Sequence, residues 1–291
     1  MGSSSLNPVF VGGTGRSGST IVGDLLDHHP AITVTIPMEV RFITGNNGIA
    51  DALAKAGKPA GLKAAELAVD RIHNRWFFRT ENVGLHTSMS REFVTETTDR
   101  YLAHFENSPQ HASQVLVYSI MEKVALGCDA ERWVDTTPAN ARKANLITPI
   151  YPQHKVIVMV RDGRDVAASF VHQDFGPSDV FEAVALWEKR MIKSDQAAKR
   201  CAAGVVLTLD LQDLVVTERD ASLDLILEHC ELEDSLEMRD WFNARVTPDG
   251  AHAGRWRRDF DDSTCAVIDK VYSDSCDRLR ELGISIPVSG E

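Results

Sequence analysis

Short apolar runs alternate with longer amphipathic stretches along this chain. Runs rich in Val, Ile and Leu are typical of strands that are covered on both faces of a parallel sheet. We therefore predict strands at 8–12, 132–135, 155–160 and 204–209, with a candidate fifth at 33–36.

Helical patterns fill most of the chain between these runs. Residues 19–28 place their apolar side chains on one face, and Pro30 follows the end of the pattern. Residues 179–200 and 220–240 also show helical patterns. Strands that alternate with helices predict an α/β protein with right-handed crossovers. The expected fold is a three-layer sandwich of the P-loop type, with a mainly parallel sheet of about four to five strands flanked by helices.

A long helical stretch separates the early strands from the middle ones. Residues 48–128 are mostly helical by pattern. We predict that the segment at about 45–128 forms a helical cap over the carboxyl edge of the sheet, where ligands bind in this class. The cap is expected to bind the acceptor substrate within a single domain that spans 1–291.

Composition and charge argue against several classes of protein. The chain has 291 residues, 43% of them hydrophobic and 25% charged, which is ordinary for a soluble protein. Its net charge of −11 argues against a nucleic-acid partner. No apolar run approaches the roughly 18 residues of a transmembrane segment. The five cysteines are scattered and odd in number, and no secretory signal is visible, so we expect reduced thiols and a cytoplasmic location.

The stretch VFVGGTGRSGSTIVGDLL, residues 9–26, has the strand, glycine-rich turn and helix of a phosphate-binding loop. Backbone N–H groups at the start of the helix, together with the hydroxyls and one arginine, suit a bound anion. The residues predicted to hold it are Gly15, Arg16, Ser17, Gly18, Ser19 and Thr20.

This loop lacks the lysine of a nucleoside-triphosphate site, since Ser19 occupies that position. Kinases of this class also need Mg²⁺ held by an acidic residue. No apolar strand convincingly ends in a magnesium-binding acid, although Asp135 and Asp210 do follow strands and keep this alternative open. A sulfuryl group carries less charge than a terminal phosphoryl group, so backbone amides and cations can stabilise its transfer without a metal. No metal is therefore expected.

Two stretches, GGTGRSGSTIVGDLLDHHP and VIVMVRDGRDVAASF, resemble the sulfotransferases that use 3′-phosphoadenosine 5′-phosphosulfate (PAPS). In that family the first motif binds the 5′-phosphosulfate. The second motif binds the 3′-phosphate through an arginine at a strand end and a serine eight positions later, which Arg161 and Ser169 match. The resemblance implies a PAPS-dependent enzyme that releases 3′-phosphoadenosine 5′-phosphate (PAP).

The layout of residues 9–43 is most similar to the tyrosylprotein and bacterial carbohydrate or metabolite branches of that family. This similarity implies that Glu39, in IPMEVRFI, is the general base for the acceptor hydroxyl and that Arg16 stabilises developing charge. Other branches use a histidine base. The histidines that keep this alternative open are His86, His104, His111 and His172.

Two positions bear on how far the resemblance extends. Thr136 stands where related sequences carry a lysine near the leaving-group oxygen, and Lys123 or Lys143 are candidate replacements. Near the C-terminus, AGRWRRDF is similar to the late loop of the family, which implies contacts from Gly254 and Arg255 to the nucleotide.

The expected reaction is sulfuryl transfer to a hydroxyl of a small molecule, glycolipid or carbohydrate. Two alternatives remain, a P-loop small-molecule kinase and a non-catalytic nucleotide-binding module. The sequence leaves the oligomeric state and the identity of the acceptor open.

Overall fold

The computed structural model describes residues 7–125 and 132–287 and contains a five-stranded parallel sheet. Cys128 lies outside these ranges, and Cys201, Cys230, Cys265 and Cys276 are free thiols. The strands are β1 (Val9–Gly13), β2 (Ile32–Val34), β3 (Arg132–Asp135), β4 (Lys155–Val160) and β5 (Val206–Asp210). Their order is β2-β3-β1-β4-β5, and every neighbouring pair is parallel. The predicted fold class is confirmed.

The central strand β1 is buried along its whole length because both faces of the sheet are covered. Phe10 belongs to one apolar cluster, while Val9 and Val11 belong to a second cluster on the opposite face. In the neighbouring β4, Val156 belongs to the cluster that contains Phe10, and Ile157 belongs to the cluster on the opposite face. This alternation follows from the two-residue period of a strand and places the sheet between two layers.

The helices are α1 (Ser19–Asp27), α2 (Ile49–Ala54), α3 (Gly61–Arg71), α4 (Arg91–Phe105), α5 (Pro109–Ala125), α6 (Ala139–Arg142), α7 (Ala144–Ile147), α8 (Gly163–Phe170), α9 (Val180–Ala198), α10 (Arg219–Cys230), α11 (Leu236–Arg245), α12 (Pro248–Ala251), α13 (Trp256–Asp259) and α14 (Asp262–Glu281). The predicted helical stretch at 220–240 is interrupted. Glu231 adopts φ 55°, which ends α10, and the Ser235 hydroxyl accepts a hydrogen bond from the amide of Met238 to begin α11.

The segment between β2 and β3 is helical, as its pattern predicts. Helices α2 to α5 supply buried apolar side chains, among them Tyr101 and Ile120, to the same cluster that contains Phe10 and Trp133 of the sheet. This shared core holds the helices against one face of the sheet. Within the described residues, no helix combines the length and the apolarity that a membrane span requires.

His154 is a buried histidine that directly precedes β4. Burial lowers its pKa from 6.5 to about 4, so the unfolded chain binds the proton first as the pH falls. We therefore expect the free energy of unfolding to decrease between pH 6.5 and pH 4 by up to about 3 kcal/mol, at about 1.4 kcal/mol per pH unit.

The variant His154→Phe isolates this effect because the ring already packs edge-to-face on Phe10, with centroids 6.1 Å apart. Urea unfolding of both proteins across this pH window gives the comparison. The variant should lose less stability on acidification than the wild type. Parallel curves for the two proteins would show that His154 does not contribute.

Candidate functional site

The turn between β1 and α1 has the geometry of an anion-binding nest. Gly15, Arg16 and Gly18 have φ values of 83°, 58° and 93°, so successive backbone N–H groups turn toward a common point. In the part of the chain that the structure describes, no side chain caps the N-terminus of α1 at Gly18. The Ser17 hydroxyl is fully buried and has no partner among the described residues. These unpaired donors favour a bound anion at this turn.

The second predicted motif meets this turn directly. Arg161 follows β4, the neighbour of β1, and donates hydrogen bonds to the carbonyl oxygens of Arg16 (3.2 Å) and His252 (2.8 Å). Ser169 on α8 accepts a hydrogen bond from Nε of Arg16 at 2.9 Å. Burial lowers the pKa of Arg161, and the carboxylate of Asp165, 3.4 Å away, opposes this change. The structure thus brings together the two motifs that the sequence separates by about 145 residues.

Asp135, at the end of β3, fixes the segment that carries Glu39. Its carboxylate is fully buried and accepts hydrogen bonds from the amide of Val40 (2.9 Å), the hydroxyl of Thr137 (2.7 Å) and the side-chain amide of Asn140 (3.1 Å). Burial raises the pKa of Asp135 to about 6, although these donors oppose the rise. Because Asp135 is enclosed by protein donors, it holds the backbone next to Glu39 in place and does not face the cavity.

The Glu39 side chain lies at the rim of the site and forms an ion pair with Arg41. The Arg41 amide donates to the Thr137 hydroxyl at 3.1 Å, and its guanidinium lies 5.8 Å from the ring centroid of Trp76. The side chains of Glu39 and Arg41 are 30% and 38% exposed, so a ligand can reach the carboxylate. The segment is thus anchored through its backbone while its charged side chains remain accessible.

Thr136, which replaces the expected lysine, points away from the site. It is 2% exposed, and its hydroxyl donates to the carbonyl of Met38 at 3.0 Å. Lys143 is held by Asp51, at 2.6 Å, while Lys123 lies over the ring of Phe93. None of Thr136, Lys143 and Lys123 lines the cavity described next.

A cavity of about 420 Å³ opens at the carboxyl edge of the sheet. Seven of the predicted site residues line it: Gly15, Arg16, Gly18, Ser19, Thr20, Glu39 and Arg161. Ser17 and Ser169 are buried beside these residues and are not part of the lining. In the described part of the chain, the charged side chains of the lining are those of one glutamate, Glu39, and five arginines: Arg16, Arg41, Arg142, Arg161 and Arg190. The cavity is therefore strongly basic in a protein of net charge −11, and this suits a small ligand with several negative charges.

Two of these arginines, Arg142 on α6 and Arg190 on α9, were not predicted from the sequence. Arg190 donates to the carbonyl oxygen of Thr14 at the start of the turn, and its guanidinium lies 5.4 Å from the ring centroid of Phe170. Burial, with a smaller effect from Arg142, lowers the pKa of Arg190 to about 10. A single arginine in a helical pattern gives no signal of this kind, because most such side chains face solvent.

Gly254 and Arg255 lie beside the cavity without lining it. The Gly254 amide donates to Asp165 at 2.9 Å, and Arg255 forms an ion pair with Asp259 at 2.7 Å. The lining residues on this side are Gly250, Ala251 and His252. Contacts from Gly254 and Arg255 to a nucleotide stay a prediction.

The four histidines that were considered as alternative bases lie outside this cavity. His86 is hydrogen-bonded to two carbonyl oxygens, and His172 is paired with Asp259 at 3.1 Å. His104 and His111 line a separate cavity of about 190 Å³ between α4 and α5. Glu39 lines the cavity, whereas none of these four histidines does.

The chain is similar to known sulfotransferases in sequence pattern and in fold. A family model described as "Sulfotransferase family" matches residues 8–236. No curated protein matches the chain. The sulfotransferase domain of the Synechococcus PCC 7002 olefin synthase is 16% identical over 97% of each chain, with a TM-score of 0.54. The sulfotransferase domain from the curacin biosynthetic pathway is 14% identical over 97% of this chain and 99% of its own, with a TM-score of 0.52. Sulfotransferase STF9 from Mycobacterium avium is 12% identical over 99% of this chain and 79% of its own, with a TM-score of 0.54. These solved structures share the fold.

Proposed function

The chain belongs to the sulfotransferase family, and we propose that it transfers a sulfuryl group from PAPS to a hydroxyl of a small molecule, glycolipid or carbohydrate. The observation that carries this proposal is the direct contact between the two motifs, Arg161 to Arg16 and Arg16 to Ser169, at the edge of one basic cavity.

The residues present fit a donor with phosphate groups at two positions. The nest at Gly15 to Thr20, with the unpartnered hydroxyl of Ser17, offers donors for the 5′-phosphosulfate. Arg161 and Ser169 lie on the β4 side of that nest and supply a cation and a hydroxyl for the 3′-phosphate. The donor would therefore extend from the nest toward β4.

Glu39 is well placed to act on the acceptor. It lines the cavity on the side of β3, opposite the 3′-phosphate side, so the acceptor hydroxyl would approach between Glu39 and the nest. In the proposed in-line step, the Glu39 carboxylate takes the hydroxyl proton while the acceptor oxygen bonds to sulfur. The bond from sulfur to the bridging oxygen breaks, and PAP leaves with that oxygen. Arg16 and the backbone amides stabilise the negative charge that develops there.

Acceptor selection would fall to the start of the helical cap. Arg41, Gly45 and Asn46 line the cavity next to Glu39, and they precede α2. The hydrogen bond from the Thr44 hydroxyl to the side chain of Asn140 (2.5 Å) ties this segment to α6. We propose that the segment from residue 45 through α5 forms the acceptor side of the site.

The kinase alternative needs a lysine and a metal-binding acid at the loop. Among the described residues that line the cavity there is no lysine, and Glu39 is the only acid. The two enzymes are distinguished by supplying PAPS or Mg-ATP with a panel of hydroxyl compounds. The proposal expects PAP to form from PAPS with chelator present. ATP consumption that requires Mg²⁺ would support the kinase, and no turnover with either donor would favour the non-catalytic module.

A further inference from the structure

Two guanidinium groups in the cavity, those of Arg142 and Arg190, lack an acidic partner among the described residues. The charge of Asp51 raises the pKa of Arg142, but the Asp51 carboxylate forms an ion pair with Lys143 at 2.6 Å. Arg190 donates to the carbonyl oxygen of Thr14, which is neutral. Both side chains line the cavity, so their charges face the space that a ligand would occupy.

The two arginines also repel each other. The positive charge of Arg142 is, after burial, the second cause that lowers the pKa of Arg190. Partly buried like charges without a counter-ion destabilise a protein, and an anion bound between them would remove that cost. A pair of guanidinium groups is also well suited to the planar oxygens of a carboxylate or the oxygens of a phosphate.

Arg142 lies apart from the groups assigned to the donor, whereas Arg190 contacts the turn itself through the carbonyl oxygen of Thr14. Arg161 and Ser169 follow β4, on one side of β1. Arg142 ends α6, which follows β3 on the other side of β1. Glu39, the proposed base, is tied to that same strand through Asp135. Arg142 therefore belongs to the half of the cavity in which the acceptor hydroxyl would lie.

We propose that Arg142 and Arg190 bind an anionic group of the acceptor, so that the substrate is a hydroxyl compound that also carries a carboxylate, phosphate or sulfate group. This inference rests on the proposed function. A neutral alcohol of the same shape would leave both arginines unpaired, and the site would therefore discriminate against it.

Inorganic phosphate is a suitable probe because it needs no knowledge of the acceptor. The protein is first titrated with PAP, and then phosphate is titrated into protein saturated with PAP and, separately, with PAPS. PAPS fills the position of the sulfuryl group, which PAP leaves open. The proposal expects phosphate to bind in both cases, and expects Arg142→Ala and Arg190→Ala to weaken that binding at least tenfold.

Lys193→Ala is the matched control, because Lys193 is an exposed cation on α9 three positions after Arg190. It should leave phosphate binding unchanged, and Arg142→Ala should keep the PAP affinity of the wild type. If phosphate binds to the PAP-loaded protein but not to the PAPS-loaded protein, the inference is overturned, because the arginines would then bind the transferring sulfuryl group. Equal binding by wild type and the arginine variants, or no phosphate binding, would also overturn it. Failure to bind PAP at the first step would instead refute the proposed function.

Discussion

Replacing Glu39 with glutamine is expected to lower sulfuryl transfer by about 10²–10⁴-fold, the usual contribution of a general base, while PAP affinity stays within about twofold of the wild type. Glutamine keeps the size of the side chain and its carbonyl can still accept a hydrogen bond from Arg41, but it cannot take a proton. The backbone at Val40 and Arg41 should keep its position because Asp135 and Thr137 hold it independently of the Glu39 side chain.

Turnover measured as PAP release from PAPS, together with calorimetric titration of PAP, separates the two effects. Glu122→Gln is the matched control, since Glu122 is an exposed residue of α5 outside the cavity. It should leave both quantities unchanged. If Glu39→Gln retains full turnover, Glu39 is not the base.

Replacing Arg161 with alanine is expected to weaken PAP binding by at least tenfold, because a hydrogen bond to a charged partner contributes about 1.5–3 kcal/mol. Arg161 also donates to the carbonyl oxygens of Arg16 and His252, so its loss loosens two parts of the cavity wall. A purely structural effect would weaken every nucleotide alike. The variant must therefore be compared on PAP and on adenosine 5′-monophosphate, which lacks the 3′-phosphate.

We expect the loss of affinity to depend on the 3′-phosphate of the nucleotide. Arg161→Ala should lose most of its affinity for PAP and little of its affinity for adenosine 5′-monophosphate. Arg200→Ala, at an exposed arginine after α9, controls for the change of net charge and should bind PAP normally. Equal losses for both nucleotides would show that Arg161 supports the fold of the site and does not recognise the 3′-phosphate.

Local patterns were enough to predict the sheet and the nest. The strand runs are continuous and apolar because β1 and β4 are buried on both faces, and that pattern is visible in the sequence. The turn from Gly15 to Thr20 was visible as well, because its glycines and hydroxyls are consecutive in the chain. That the turn at Arg16 and the stretch from Arg161 to Ser169 bind one ligand was expected only through resemblance to a family, since nothing local links residues so far apart.

Other features depend on tertiary packing and had no sequence signal. The orientation of the Thr136 side chain is set by its hydrogen bond to the carbonyl oxygen of Met38, and only folding brings these two residues together. Arg142 and Arg190 come from separate helices and meet only at the cavity. The division of the 220–240 helix depends on a positive φ at Glu231, a conformation that a glutamate rarely adopts and that its pattern therefore does not predict.

Calorimetric titration of the wild-type protein with PAP tests the central claim most directly, because PAP carries both phosphate positions that the two motifs are proposed to hold. The account predicts binding at one site per chain, at least tenfold tighter than that of adenosine 5′-monophosphate and unaffected by chelator. No binding of PAP, or equal affinity for the two nucleotides, would contradict it.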